Sequence, residues 1–114
     1  MTAWINAFLG RLESRDVHTR EEPAPGLAPA RLYVVRADDW GAFAHEARNW
    51  ECRWVAGWGE DAGADILVNA AFEKDGVYIV ARTLVRRATP ILPSHTPYYP
   101  GADRPERHIQ DLLG

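Results

Sequence analysis

Apolar residues recur at three- and four-residue spacing at the start of the chain, at Trp4, Ile5, Phe8, Leu9 and Leu12, behind Thr2 as a helix cap. The spacing predicts an amphipathic helix over residues 1–14. Its polar face is not basic, so the stripe reads as a core or domain-docking face rather than a membrane anchor, with partner docking the minority alternative. From Arg15 to Ala30 the pattern turns polar and then proline-rich, through Glu21, Glu22, Pro23, Pro25, Gly26 and Pro29, which predicts a semi-rigid linker over 15–30. Arg31 to Arg36 is a short β-rich run. Asp38 or Asp39 then caps a helix with the stripe Trp40, Phe43, Ala44 and Ala47. Cys52, Trp54, Ala56 and Trp58 alternate with Arg53, Val55 and Gly57, the two-residue period of a strand with one buried face. A further strand begins near Asp65 and carries Ile66, Val68, Ala70 and Phe72 on one face; Asp75-Gly76 then predicts a tight hairpin, and Val77 to Arg87 returns antiparallel.

After Arg87 four prolines, Pro90, Pro93, Pro97 and Pro100, impose an extended segment around Tyr98 and Tyr99. Asp103 as cap and Pro105 as first helical residue open a terminal helix that runs to Leu112, Leu113 and Gly114. The order predicts an α+β fold, with a small antiparallel or mixed sheet and helices packed on one face, built by residues 31–114.

Composition narrows the classes of function. A chain of 114 residues, 46% hydrophobic and 25% charged, has room for one core and too much apolar content for general disorder. Thirteen basic against sixteen acidic side chains give −3, which argues against a nucleic-acid footprint. One cysteine, Cys52, with four histidines supplies neither an internal disulfide nor a cysteine-rich metal cage, and places the chain among intracellular proteins. The apolar runs are short of the ~20 residues that span a bilayer, and the opening residues lack a basic secretory n-region.

The candidate chemistries are weak one by one. Cys52 sits in a strand pattern and reads as a small core residue; no base stands beside it in any recognisable signature. His45 and His108 have no second ligand at a metal-binding offset. Gly57-Trp58-Gly59 runs into Glu60 and Asp61, whose charges would repel a phosphate, so it reads as a turn. Arg82, Arg86 and Arg87 with Tyr78 form at most a modest patch for single-stranded nucleic acid. Trp40, Trp54 and Trp58 are spaced for a sheet–helix core rather than a ligand pocket. No residue is assigned a catalytic, cofactor-binding or metal-binding role.

The specific signal lies in residues 93–114, Pro-Ser-His-Thr-Pro-Tyr-Tyr-Pro-Gly-Ala-Asp-Arg-Pro-Glu-Arg-His-Ile-Gln-Asp-Leu-Leu-Gly. This stretch resembles the signature of the thirty-kilodalton subunit of respiratory NADH dehydrogenase (complex I). The same stretch opens the large subunit of energy-converting nickel–iron hydrogenases and formate hydrogenlyases. In that family a Pro-Ser-x-Thr element leads through an aromatic-Pro-Ala-Ala turn into a Glu-Arg-Glu-x-x-Asp helix that ends in an aromatic and a glycine. Ser94, Thr96, Tyr99, Pro100, Ala102, Glu106, Arg107, Asp111 and Gly114 occupy those positions. Arg104, His108 and Leu113 depart from the pattern and imply a divergent branch. The family's small α+β domain matches the element order from Arg31 to Arg87 more loosely. The sequence stops before the family's tail along the catalytic subunit, which leans the expectation toward the hydrogenase branch or a split accessory form, with a truncated thirty-kilodalton subunit fitting as well.

The resemblance implies a non-catalytic structural and assembly subunit, docked on the cofactor-bearing large subunit and neighbouring iron–sulfur subunits. NADH, quinone, nickel–iron and iron–sulfur chemistry would then belong to partner subunits and none to this chain. It also implies a cytoplasmic location, peripheral to the inner face of the cell membrane. The expected partner interface is Ser94, Thr96, Tyr98, Tyr99, Pro100, Glu106, Arg107 and Asp111. Physically, Glu106 suits the positive end of the terminal helix, and Arg107 reaches Asp111 four residues on, worth only ~0.3–0.5 kcal/mol if exposed. The proline-fixed Tyr98-Tyr99 pair is the stronger anchor, because rigid aromatics lose little entropy on docking. The competing class is a free-standing ligand- or peptide-binding module built on the tryptophan and tyrosine surfaces.

Overall fold

The computed structural model describes Ala3–Leu113; the expected cap at Thr2 and the signature glycine Gly114 lie outside the described residues. Three helices, α1 (Ala3–Ser14), α2 (Trp40–Asn49) and α3 (Asp103–Leu113), pack on one face of a five-stranded mixed sheet. The strands are β1 (Arg20–Glu22), β2 (Arg31–Val34), β3 (Arg53–Ala62), β4 (Asp65–Lys74) and β5 (Val77–Arg86), in spatial order β1-β2-β5-β4-β3. Only β2 and β5 run parallel; every other pair is antiparallel. The fold is α+β, as the pattern predicts.

The stripes close one continuous core. Ile5, Phe8 and Leu12 of α1 and Phe43, Ala44 and Ala47 of α2 are fully buried against Ile66, Val68, Ala70 and Phe72 of β4. Phe43 links the layers, meeting the Phe8 ring edge-on at 5.3 Å and the Phe72 ring at 5.5 Å. The α1 stripe is therefore a core face. Asp39 holds the N-cap position of α2 without a side-chain capping bond, behind a 3₁₀ turn at Ala37–Asp39. Both residues of the β4–β5 loop have positive φ, 54° at Asp75 and 79° at Gly76, the mirror-image turn that matches the twist of the two strands.

Two segments differ from their sequence reading. Residues 15–30 carry β1, whose Arg20–Glu22 pairs with β2 in register Glu21 opposite Tyr33. Three consecutive charged side chains hide such a strand from any hydrophobic period; backbone pairing and an Arg31–Glu21 ion pair hold it. The prolines that follow bring Ala24, Leu27 and Ala30 over Leu32, Ala71 and Val80 on the far face of the sheet. The segment is thus a cover for that face as well as a connection.

The second difference is in β3. The register shifts between Trp54 and Ala56, where Val55 bulges, and the shift turns every later side chain to the opposite face. Trp54, paired with Phe72, lies on the core side; Trp58, paired with Asn69, lies on the far side against Leu32, Ala71 and Val80. Gly57-Trp58-Gly59 is interior strand rather than a turn. Its glycines face the core side because that space is taken. A Cβ on Gly57 would lie 2.8 Å from the Trp54 ring, and one on Gly59 2.6 Å from Leu112 Cδ1 of α3.

The arginines read as a possible nucleic-acid patch are mostly engaged within the chain. Arg82 donates to Asn69 Oδ1 at 2.7 Å and pairs with Glu60, while Arg87 pairs with Asp61 and donates to the Leu112 carbonyl at 2.6 Å. Among the described residues no helix is long and apolar enough to cross a membrane.

Candidate partner-docking site

The proline-rich strap over residues 90–102 and the first turn of α3 form one polar knot centred on Glu106. Proline at 90, 93, 97 and 100 removes backbone donors and fixes φ, so the strap cannot enter the sheet and is held by side chains instead. Ser94 Oγ and Thr96 Oγ1 both donate to Glu106 Oε1, at 2.7 and 2.8 Å, and the backbone N–H of His95 donates to Oε2 at 2.7 Å. Ser94 Oγ in turn accepts the Thr96 N–H at 2.9 Å. The carboxylate is half-buried at the helix N-terminus, where the peptide dipoles favour its charge.

Immediately beneath this clasp lies His95, 1% exposed. Its ring stacks on Trp40 with centroids 4.6 Å apart. Nδ1 accepts the Trp54 indole N–H at 3.2 Å, and Nε2 donates to the Trp40 carbonyl at 3.0 Å. That pair of bonds fixes the neutral tautomer with its proton on Nε2. Burial pushes the imidazole pKa down from 6.5 to about 4, opposed in part by the Glu106 charge. His95 is a pin that fastens the strap to α2 and β3.

The next turn of the strap continues inward. Tyr98 and Tyr99 N–H both bond to the His95 carbonyl, and the Tyr99 hydroxyl donates to the Cys52 carbonyl at 2.8 Å. Tyr99 is 8% exposed and joins the core; burial raises its phenol pKa above the ordinary value. Tyr98 is half-buried and stacks on His45, with centroids 4.7 Å apart and planes 12° from parallel. The two tyrosines expected as free anchors are therefore used by the fold, Tyr99 fully and Tyr98 on one face. Cys52 is 3% exposed, and desolvation pushes its thiol up to about 11, as befits a core residue.

The interface residues expected from sequence thus divide. Ser94, Thr96 and Glu106 come together in the clasp. Pro100 is exposed at the 3₁₀ turn Pro100–Ala102 that leads into α3. Arg107 and Asp111 are exposed on α3, but Arg107 pairs backward with Asp103 at 3.2 Å and not forward with Asp111. The reversal places the guanidinium over the first turn of α3, where Asp103 also meets the favourable end of the helix dipole. Pro105 is the third residue of α3, not its first.

Sequence reasoning missed His95 and Trp54 as the partners that lock the strap. The available signal was local: two short hydroxyl side chains flanking one residue, followed by a glutamate in the first turn of a helix, is a set of donors awaiting an acceptor. Among the described residues no group of three or more His, Cys, Asp and Glu side chains is placed to hold a metal ion.

The sequence profile of the family described as respiratory-chain NADH dehydrogenase, 30 Kd subunit, matches residues 33–114, from β2 through the strap and α3. No curated protein matches the chain closely enough to stand as a relative. A profile match over most of the chain, covering most of the sheet and the whole clasped strap, places this protein in the family of the 30 kDa subunit of respiratory-chain NADH dehydrogenase.

Proposed function

We propose that this chain is a non-catalytic docking subunit of a complex-I-like NADH:quinone oxidoreductase or energy-converting hydrogenase. Its body and clasped strap hold the cofactor-bearing large subunit and adjacent iron–sulfur subunits in register. NADH, quinone and any nickel–iron or iron–sulfur centres belong to those partners in this reading. The chain sits on the cytoplasmic side, peripheral to the inner face of the membrane. The observation that carries the reading is the family match, which includes the strap and α3. Consistent with it, the reactive groups nearest the strap, Cys52 and His95, are sealed inside and held in place by the fold.

The exposed surface of the site is Ser94, Pro100, Arg107 and Asp111. Reversing the charge at Arg107 removes one exposed ion pair, worth at most ~0.5 kcal/mol to the fold, so Arg107→Glu should weaken docking and leave the domain intact. Tyr99→Ala does not offer that separation, because Tyr99 is core. The test is affinity capture of the tagged chain from gently solubilised native membranes, with co-purifying proteins identified and nickel and iron quantified. An iron–sulfur-bearing large subunit in the captured material supports the reading, and nickel selects the hydrogenase branch. Recovery of the chain alone beside intact complexes overturns it in favour of a free-standing binding module, a reading that draws on the cavity under α3.

A further inference from the structure

Between α3, the core side of β3 to β5 and the strap lies a cavity of about 410 Å³. Its apolar lining includes Trp54, Val68, Val85 and Ile109, and its polar lining includes Asn69 of β4, the strap hydroxyls Ser94 and Thr96, and Glu106 and Gln110 of α3. The Trp54 indole is fixed there from two sides, by its bond to His95 and by Gly57, which leaves room only for the ring.

Glu106 is the unusual group in this lining. It is half-buried, and its three partners are a serine hydroxyl, a threonine hydroxyl and a backbone N–H, all neutral. None of the ion pairs among the described residues includes it. The neighbouring guanidinium of Arg107 is turned to Asp103 instead. A carboxylate has roughly four acceptor sites, so Oε2, with one donor, keeps one open. The charged lining is Asp103 and Glu106 against Arg107, two acids to one base, and His95 is neutral. Negative charge beside an aliphatic and aromatic floor complements a cation on an apolar stem: the carboxylate attracts the cation, and the stem lies against the floor.

We propose that the cavity under α3 receives a basic side chain, lysine or arginine, from a partner subunit, its stem against Val85 and Ile109 and its cation at Glu106 Oε2. The docked side chain supplies the counter-charge that the clasp lacks. This inference rests on the docking reading above and names the chemistry of the partner segment.

Two measurements test it. The first uses the full chain alone, labelled with ¹⁵N and titrated with hexylammonium and with 1-hexanol as the neutral isostere. Hexylammonium is expected to give saturable shifts at the Trp54 indole N–H and the Gln110 side-chain amide at about a tenfold lower concentration than hexanol, the worth of one charge-assisted hydrogen bond. In Glu106→Gln the preference should vanish. Equal half-saturation of the two probes in the unmodified chain, or no shift at either group, overturns the proposal without recourse to any variant. The second places a photo-crosslinking amino acid at position 110 of the chain in the captured assembly. A crosslink to a partner residue next to a lysine or arginine is expected; a crosslink to a segment without one, or none in an intact assembly, overturns it. Loss of capture strikes the docking reading itself, whereas loss of charge preference with capture intact strikes the pocket alone.

Discussion

Glu106→Ala is the sharpest perturbation of the strap. It removes three hydrogen bonds at 2.7, 2.8 and 2.7 Å, all to an ionised acceptor. Ser94 is exposed and recovers water, so its loss contributes little. Thr96 is half-buried and recovers part of its bond. The His95 N–H lies beneath the strap and loses its acceptor, at a cost of roughly 1–3 kcal/mol for an unsatisfied, partly buried donor. Losing the favourable helix-terminus charge adds roughly 0.5 kcal/mol. The sum is about 1.5–3.5 kcal/mol, or a fall of roughly 6–14 °C in Tm for a domain of this size. Urea unfolding followed by tryptophan fluorescence measures it directly, because Trp40 and Trp54 both touch the His95 pin. Glu106→Gln, which keeps the shape and part of the bonding, should lose less than half as much. A loss below about 0.5 kcal/mol in Glu106→Ala would show that the strap is held by its prolines and not by the clasp.

Three further outcomes follow from the same geometry. Buried His95 titrates near 4 in the folded chain and near 6.5 when unfolded, so between those values the unfolded state binds more protons. Its contribution is complete above about pH 6.5 and is lost as the pH falls through 4, roughly 3 kcal/mol in all. Urea midpoints compared at neutral pH and near pH 5 should show this slope in the parent chain and a flatter one in His95→Gln; parallel slopes would contradict the assignment. Tyr99→Phe removes the bond to the Cys52 carbonyl and should cost roughly 1–2 kcal/mol, while Tyr99→Ala opens a cavity and should cost roughly 3–5 kcal/mol, both read from denaturant midpoints. Gly57→Ala presses a rigid, hydrogen-bonded indole and should destabilise by about 1–3 kcal/mol, whereas Gly59→Ala meets only the movable end of half-exposed Leu112 and should be near neutral. Equal thermal shifts in the two glycine variants would refute the packing described for β3.

The sequence carried the hydrophobic architecture well. The stripes of α1 and α2, the Ile66–Val68–Ala70–Phe72 face and the Asp75-Gly76 turn are all written in local periodicity and local turn chemistry. What escaped has a common cause. β1 consists of Arg20, Glu21 and Glu22 and is held by backbone pairing, which leaves no mark in a hydrophobic pattern. The bulge at Val55 puts Trp54 and Trp58 on opposite faces, and a strict alternation rule has no means of anticipating a register shift. The candidate site was legible as a motif but not as a mechanism. Ser94, Thr96 and Glu106 stand together in the motif and read as a surface, yet in the fold their side chains face one another. Arg107 chose Asp103 over Asp111, a choice between two equally spaced partners that depends on the first turn of α3. Tyr99, proposed as an anchor, is drawn inward by a backbone carbonyl 47 residues away, a contact that no local pattern encodes.

The docking claim is tested most directly by amide hydrogen exchange on this chain, free and within the captured assembly. Docking through the strap should slow exchange in the assembly at the strap N–H groups of Ser94, Thr96 and Tyr98 and along the exposed side of α3. Unchanged exchange across the strap and α3, with new protection confined to α1 or the β1 edge of the sheet, would contradict it.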